Sequence, residues 1–146
     1  MVIQEMTDQE CRAKLAGRNL ARLACARDGQ PYVMPLDVEL EGDHLYGYAT
    51  LGQKIEWMRQ NPLVCLEIDD ITSAMQWVTV IVYGRYEELP PTPEYASERA
   101  VADRLLQKHP MWWEPATVPP LAHEPRMPIV FRIRITGVTG RRAGGR

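Results

Sequence analysis

The stretch from Leu20 to Ala49, LARLACARDGQPYVMPLDVELEGDHLYGYA, constrains the fold more than any other part of the chain. It contains three strand-like runs, separated by Asp28-Gly29 and by Glu41-Gly42-Asp43. Both breaks are favoured hairpin turns, because Asp and Gly tolerate the left-handed backbone that a tight connection demands. Connections this short force antiparallel neighbours. In the middle run Tyr32, Met34, Leu36, Val38 and Leu40 alternate with Asp37 and Glu39, the period of a half-buried strand. Pro35 cannot donate to a ladder, so this strand lies at an edge or bulges there.

The flanking segments extend the pattern. MTDQECRAKLAG reads as a helix: Thr7 and Glu10 have capping-box spacing, and Gly17 suits the left-handed residue that ends it. LYGYATLGQKIEWMRQNP passes from a strand into a short helix stopped by Asn61-Pro62. LVCLEIDD places Val64, Leu66 and Ile68 on one face of a fourth strand. In AMQWVTVIVYGRYEEL, Val78, Val80 and Val82 oppose Trp77, Thr79, Ile81 and Tyr83. Both faces of that fifth strand are substantially apolar, so it is expected to be covered on two sides, one by another molecule. TPEYASERAVADRLLQKHP is a helix with Tyr95, Arg99, Ala102 and Leu106 near one stripe, and residues 110–128 form a Pro-rich segment holding Trp112-Trp113. IVFRIRITGVTG alternates again, with Ile129, Phe131, Ile133 and Ile135 inward. The expectation is a mainly β chain with peripheral helices, a six-stranded antiparallel Greek-key barrel. It is read as a single domain over residues 1–140, with 141–146 a flexible C-terminal tail.

Bulk properties exclude several classes. With 146 residues and 45% apolar composition, one core can form without staples. A net charge of -2 gives no reason to expect a nucleic-acid or anionic-membrane surface. Cys11, Cys25 and Cys65 are odd in number and form no CxxC, which reads as free thiols in a reducing compartment. The N-terminus lacks the pattern of a signal peptide, and no apolar run approaches the ~20 residues of a membrane helix. The chain is therefore expected in the cytoplasm. His44, His109 and His123 have no partners at ligand spacing and are read as surface or loop residues, so no metal is expected. No GxSxG, HExxH, P-loop or GxGxxG pattern is present, and no catalytic residue is assigned.

Three features carry candidate chemistry. The first is Thr50-Leu51-Gly52-Gln53-Lys54, where a strand becomes a helix. If Thr50 caps that helix, Gln53 completes a capping box, and the unpaired first-turn amides together with Lys54 make an anion site fit for a phosphate. The bland reading is an ordinary cap beside a solvated lysine. The second is the strand around Met34, Pro35 and Leu36, which either just lines the core or leaves an edge where a flat ring can meet backbone groups. The third is Trp77 with Thr79 on one face, either core residues or an aromatic wall with a hydroxyl. Trp112-Trp113 is either a barrel plug or a lid.

In this order and spacing, the YVMPL strand, the aromatic strand into GQK, NPLVCLEID and VIVYGR resemble the FMN-binding split-barrel superfamily. The nearest likeness is to proteins related to pyridoxamine 5'-phosphate oxidase and to nitroimidazole-resistance flavoproteins. The resemblance implies a split barrel that works as a homodimer, with FMN held between two copies, and a small-molecule substrate. It implies that Thr50 and Lys54 hold the phosphate, with Tyr48, Ala49 and Gln53 beside it. Met34, Pro35 and Leu36 would run along the ring, and Trp77 and Thr79 would come from the neighbouring copy. Gln53 stands where the oxidase has an arginine, and Tyr48 where nitroimidazole-resistance relatives often have a histidine. The implied activity is an FMN-dependent oxidoreductase; the alternatives are a flavin carrier or sensor without turnover, or a split barrel using haem or a deazaflavin.

Overall fold

The computed structural model describes residues 1–106 and 128–144. Trp112, Trp113, His109 and His123, and with them the plug, lid and haem-ligand readings, lie outside the described residues. The elements in chain order are β1 (Ile3–Glu5), α1 (Asp8–Leu15), β2 (Arg18–Arg27), β3 (Gln30–Glu41), β4 (His44–Ala49), α2 (Gln53–Gln60), β5 (Leu63–Ser73), β6 (Gln76–Glu88), a single 3-10 turn (Pro93–Tyr95), α3 (Ala96–Leu106) and β7 (Ile129–Ala143).

Every strand pairing is antiparallel, in the order β1-β7-β4-β3-β2-β5-β6, and β6 pairs back onto β7. That last pairing closes a ring of six, as the alternation implied. β2, β3 and β4 follow one another as hairpins, and β5 returns beside β2, which is the Greek-key connection. The first hairpin turns at Asp28 (φ 51°) and Gly29 (φ 78°), two successive left-handed residues whose twist matches the strands they join. β1, a seventh strand the sequence pattern did not flag, adds to the outer edge of β7 through Ile3↔Ala143 and Glu5↔Arg141.

The barrel interior is filled by side chains. Leu23, Val38, Leu45, Val80, Val82, Phe131 and Ile133 are fully buried, each contributing about 1.5–3 kcal/mol by leaving water. α1 contributes Cys11 and Leu15 to this core, and its Thr7–Glu10 capping box forms as the spacing required. The helix approaches closely because Gly140 of β7 has no side chain: a Cβ there would lie 2.7 Å from Cys11 Sγ. α2 contributes Ile55, Trp57 and Met58, and Asn61 at its end donates to the Ala26 carbonyl of β2. α3 builds a second cluster with Tyr46, Leu89 and Val130 on the outside of β4 and β7.

Two expectations are corrected by the ladder. β7 runs through Ala143, so Arg141 and Arg142, expected in a flexible tail, are fixed in a strand between β1 and β6. The alternation of this stretch is hidden by Gly137 and Gly140, which carry no side chain to mark a face. His44 is the half-buried first residue of β4, opposite Arg134, and not a loop residue. Burial, with the nearby Arg132 guanidinium adding to it, holds its imidazole below the usual histidine range.

Candidate functional site

The ladder is shortest at two joins, β3–β4 and β2–β5, each paired at three positions, and the first of these borders α2. β3 pairs with β2 from Gln30 to Glu39 but with β4 only at Glu39↔Tyr46, Leu40↔Leu45 and Glu41↔His44. From Gln30 to Val38 the second edge of β3 has no strand partner among the described residues, while β4 continues to Ala49 along β7. The two strands therefore diverge toward the end where β4 hands over to α2. Gly47 sits in the fork, where a Cβ would meet Phe131 at 3.0 Å and the Asp37 carbonyl at 3.3 Å. Beside it Asp37 is buried, an acid that the simple alternation assigned to the solvent face.

Along this seam the expected ring-contact residues divide by role. Met34 and Leu36 point into the core, so they present backbone alone, whereas Pro35 and Val33 are exposed at the open edge. Pro35 lies opposite Arg22 of β2 and brings no N–H to the ladder. Ala49 is buried in the main core, and the ring of Tyr48 packs with the α3 cluster. What both offer the seam is main chain.

The junction with α2 differs from the capping-box expectation. The helix begins at Gln53 and its N-cap is Gly52, which has no side chain to cap with; Thr50 lies two residues upstream of the cap. Gly52 accepts the first helical bond from the Glu56 amide, but among the described residues the first-turn amides receive no side-chain acceptor. They carry the positive end of the helix dipole. Lys54 stands in this same turn, half-buried, with no hydrogen bond or ion pair among the described residues. The helix therefore starts two residues later than a Thr50 cap would require, and Gln53 is its first residue, not the third. An open first turn, a hydroxyl at Thr50 and an unpaired ammonium form a donor set suited to a phosphate.

Trp77 and Thr79 lie elsewhere in the same copy. Ala49 pairs with Ile129 and Thr79 with Arg141, at opposite ends of β7, roughly 40 Å apart along an extended strand. On the outer face of β6, Trp77, Thr79 and Ile81 are half-buried and Tyr83 is exposed. Thr79 and Ile81 line an open groove of about 450 Å³ together with Glu5, Met6, Val138, Thr139, Gly140 and Arg141. Sequence reasoning missed Arg141 because it placed that residue in a tail; only the β1–β7 and β6–β7 registers bring it here.

A carboxyl pair flanks this face. Glu67 and Asp69 of β5 sit opposite Ile81 and Thr79, and Arg22 of β2 approaches them at 3.9 and 3.4 Å. One guanidinium cannot neutralise two carboxylates. Burial and the hydrogen bond with Asp69 push the Glu67 carboxyl up to about 7, against the pull of Arg22. The three cysteines are free, and burial raises the thiols of Cys11 and Cys25, which suits packing rather than nucleophilic work. No helix among the described residues is long and apolar enough to cross a membrane.

A family model described as "Pyridoxamine 5'-phosphate oxidase" matches residues 7–142. An uncharacterized protein of Rhizobium meliloti is 43% identical, over 98% of this chain and 97% of its own. The crystal structure of a FAD-binding protein from Mesorhizobium loti is 40% identical, with a TM-score of 0.83, over 99% of this chain and 100% of that one. A FAD-binding protein from Mycobacterium smegmatis shares the fold at 20% identity and a TM-score of 0.69, covering 97% of this chain and 100% of its own.

Proposed function

The chain belongs to the pyridoxamine 5'-phosphate oxidase family, within a flavin-binding split-barrel superfamily, and from that premise we propose that it is a homodimeric, FMN-dependent oxidoreductase acting on a small molecule. The observation that carries this reading is the open first turn of α2, with Lys54 unpaired among the described residues, at the foot of the unzipped β3–β4 edge. A phosphate would sit on the Gly52–Lys54 turn with the Thr50 hydroxyl, and Gln53 and the main chain of Tyr48 and Ala49 would flank it. The Met34–Pro35–Leu36 edge would run beside the ring. The bound flavin would supply the electron chemistry, so this chain's residues need only bind, orient and exclude water.

The separation just described supports a dimer. Trp77 and Thr79 cannot reach the seam of their own copy, whereas a second copy could lay their face across it. The exposed Ile71, Met75 and Tyr83 around them favour such burial. The 40% identity to a FAD-binding protein supports a flavin as the cofactor class. The open turn, a donor set suited to one phosphate, supports FMN as the form, because FMN ends in a single phosphate.

The test is the visible spectrum of the purified protein. Flavin bands that bleach with NADH or NADPH and return in air are the expected result. Flavin bands that neither reductant bleaches would leave a carrier or sensor, and a colourless protein that takes up no added FMN would refute the reading.

A further inference from the structure

The outer face of the sheet carries an acid pair inside largely apolar surroundings. Ladder partners line up in rows across β3, β2, β5 and β6. One row is Val33, Ala24, Cys65 and Tyr83, and the next is Pro35, Arg22, Glu67 and Ile81. Asp69 with Thr79 follows, then Ile71 with Trp77. Val33, Ile71 and Tyr83 are 61%, 64% and 51% exposed. Glu67 and Asp69, set between these apolar rows, are already mostly withdrawn from water, with 31% and 22% of their side chains exposed.

Few charged or titratable groups face the pair. Arg22 of β2 approaches both acids, and β5 itself adds Cys65. β6 presents Thr79 and Ile81, with Tyr83 one position further along the same face. Arg141 of β7 stands one strand beyond, opposite Thr79. Asp70, the next residue of β5, is engaged with Lys14. Glu67 and Asp69 share a hydrogen bond, and since an ionised carboxylate accepts but does not donate, that bond needs a proton between them.

We propose that a second copy closes over this face while the Glu67–Asp69 pair holds its proton, so that assembly of the dimer is controlled by pH. The inference rests on the homodimer reading above and deepens it, because the face that carries Trp77 and Thr79 is the face that carries the pair. Exposed apolar side chains on both sides of the acids suit burial against another copy of the same surface. A two-fold contact brings that same surface again, so it doubles the acid pair instead of neutralising it. Covering the pair removes its remaining water and disfavours a second negative charge there. The separate chain holds the Glu67 proton up to about pH 7, and covering raises that limit. The dimer is therefore fully stable below this pH and loses stability as pH rises above it.

The experiment is sedimentation equilibrium of the purified full chain from about pH 6 to about pH 9 at fixed ionic strength. Fluorescence anisotropy of labelled chain extends the dilution series if the dimer is tight. The dimer Kd should stay level up to about pH 7 and then rise, on the order of tenfold per pH unit for each copy's acid pair. Glu67→Gln keeps a donor to Asp69 without a titrating proton, so its Kd should hardly change with pH. Asp69→Asn donates to Glu67 in the same way and should behave alike. Asp70→Asn, on the same strand but engaged with Lys14, should keep the wild-type profile. A wild-type Kd that is level or falls across this range, or that rises equally in Glu67→Gln and Asp69→Asn, would overturn the inference and leave the homodimer standing. A chain that is monomeric even at the acid end would remove the homodimer reading, and the pH control with it.

Discussion

Lys54→Ala separates a binding role from a structural one by the signs of its two effects. Lys54 is the second residue of α2, inside the turn whose amides carry the positive end of the helix dipole. A cation there is slightly unfavourable for the helix, and no carboxylate among the described residues compensates it. Alanine also has the better helix propensity. Removing the charge should therefore leave the apoprotein as stable or up to about 0.5 kcal/mol more so. Flavin binding should move the other way. A hydrogen bond to a charged group contributes about 1.5–3 kcal/mol, and with tenfold per 1.4 kcal/mol the Kd should rise roughly 10- to 150-fold. The assay is FMN fluorescence quenching on apoprotein, paired with urea denaturation of the same preparations. Because the phosphate is the group contacted, riboflavin, which lacks it, should bind wild type and variant alike. A folded Lys54→Ala protein with wild-type FMN affinity would refute the phosphate cradle. A loss of stability would show that Lys54 holds structure by a contact not recognised in the site.

Other perturbations test the surrounding fold. Gly84→Ala should cost about 1–3 kcal/mol by overpacking, because its Cβ would fall 2.8 Å from the Arg134 carbonyl and 2.4 Å from Ile133 Cγ2 at the β6–β7 irregularity; a shift in thermal midpoint reads it. Thr7→Ala removes the hydroxyl that accepts the Glu10 amide at 3.1 Å and should lower stability by about 1 kcal/mol in urea titrations. Glu67 has a folded-state pKa raised to about 7 from 4.5. The native state thus binds its proton more tightly than the unfolded chain, and that stability is lost as pH rises from about 4.5 through 7. Urea midpoints at stepped pH should fall across this window in wild type and less in Glu67→Gln; parallel profiles would show that the carboxyl pair is not the cause.

The sequence alone determined the strands and their partners at short range. Asp28-Gly29 could make little but a tight hairpin, and the alternation in β3 and β7 assigned the core faces correctly at Met34, Leu36, Phe131 and Ile133, whereas in β6, apolar on both faces, only the structure shows that Val80 and Val82 face the core. Turn chemistry and side-chain period are properties of a few neighbouring residues, so they can be read without knowing the rest of the chain. The candidate phosphate turn was legible for the same reason, although the cap proved to be Gly52 and not Thr50. Tertiary structure decided where β3 parts from β4, which way Tyr48 turns, that Asp37 is buried, and that Arg141 stands beside Thr79. Each depends on how a closed ring bends and which distant strand supplies the next edge. A residue's partner across a ladder is fixed by register over the whole barrel, and register is not written in any local stretch of the chain.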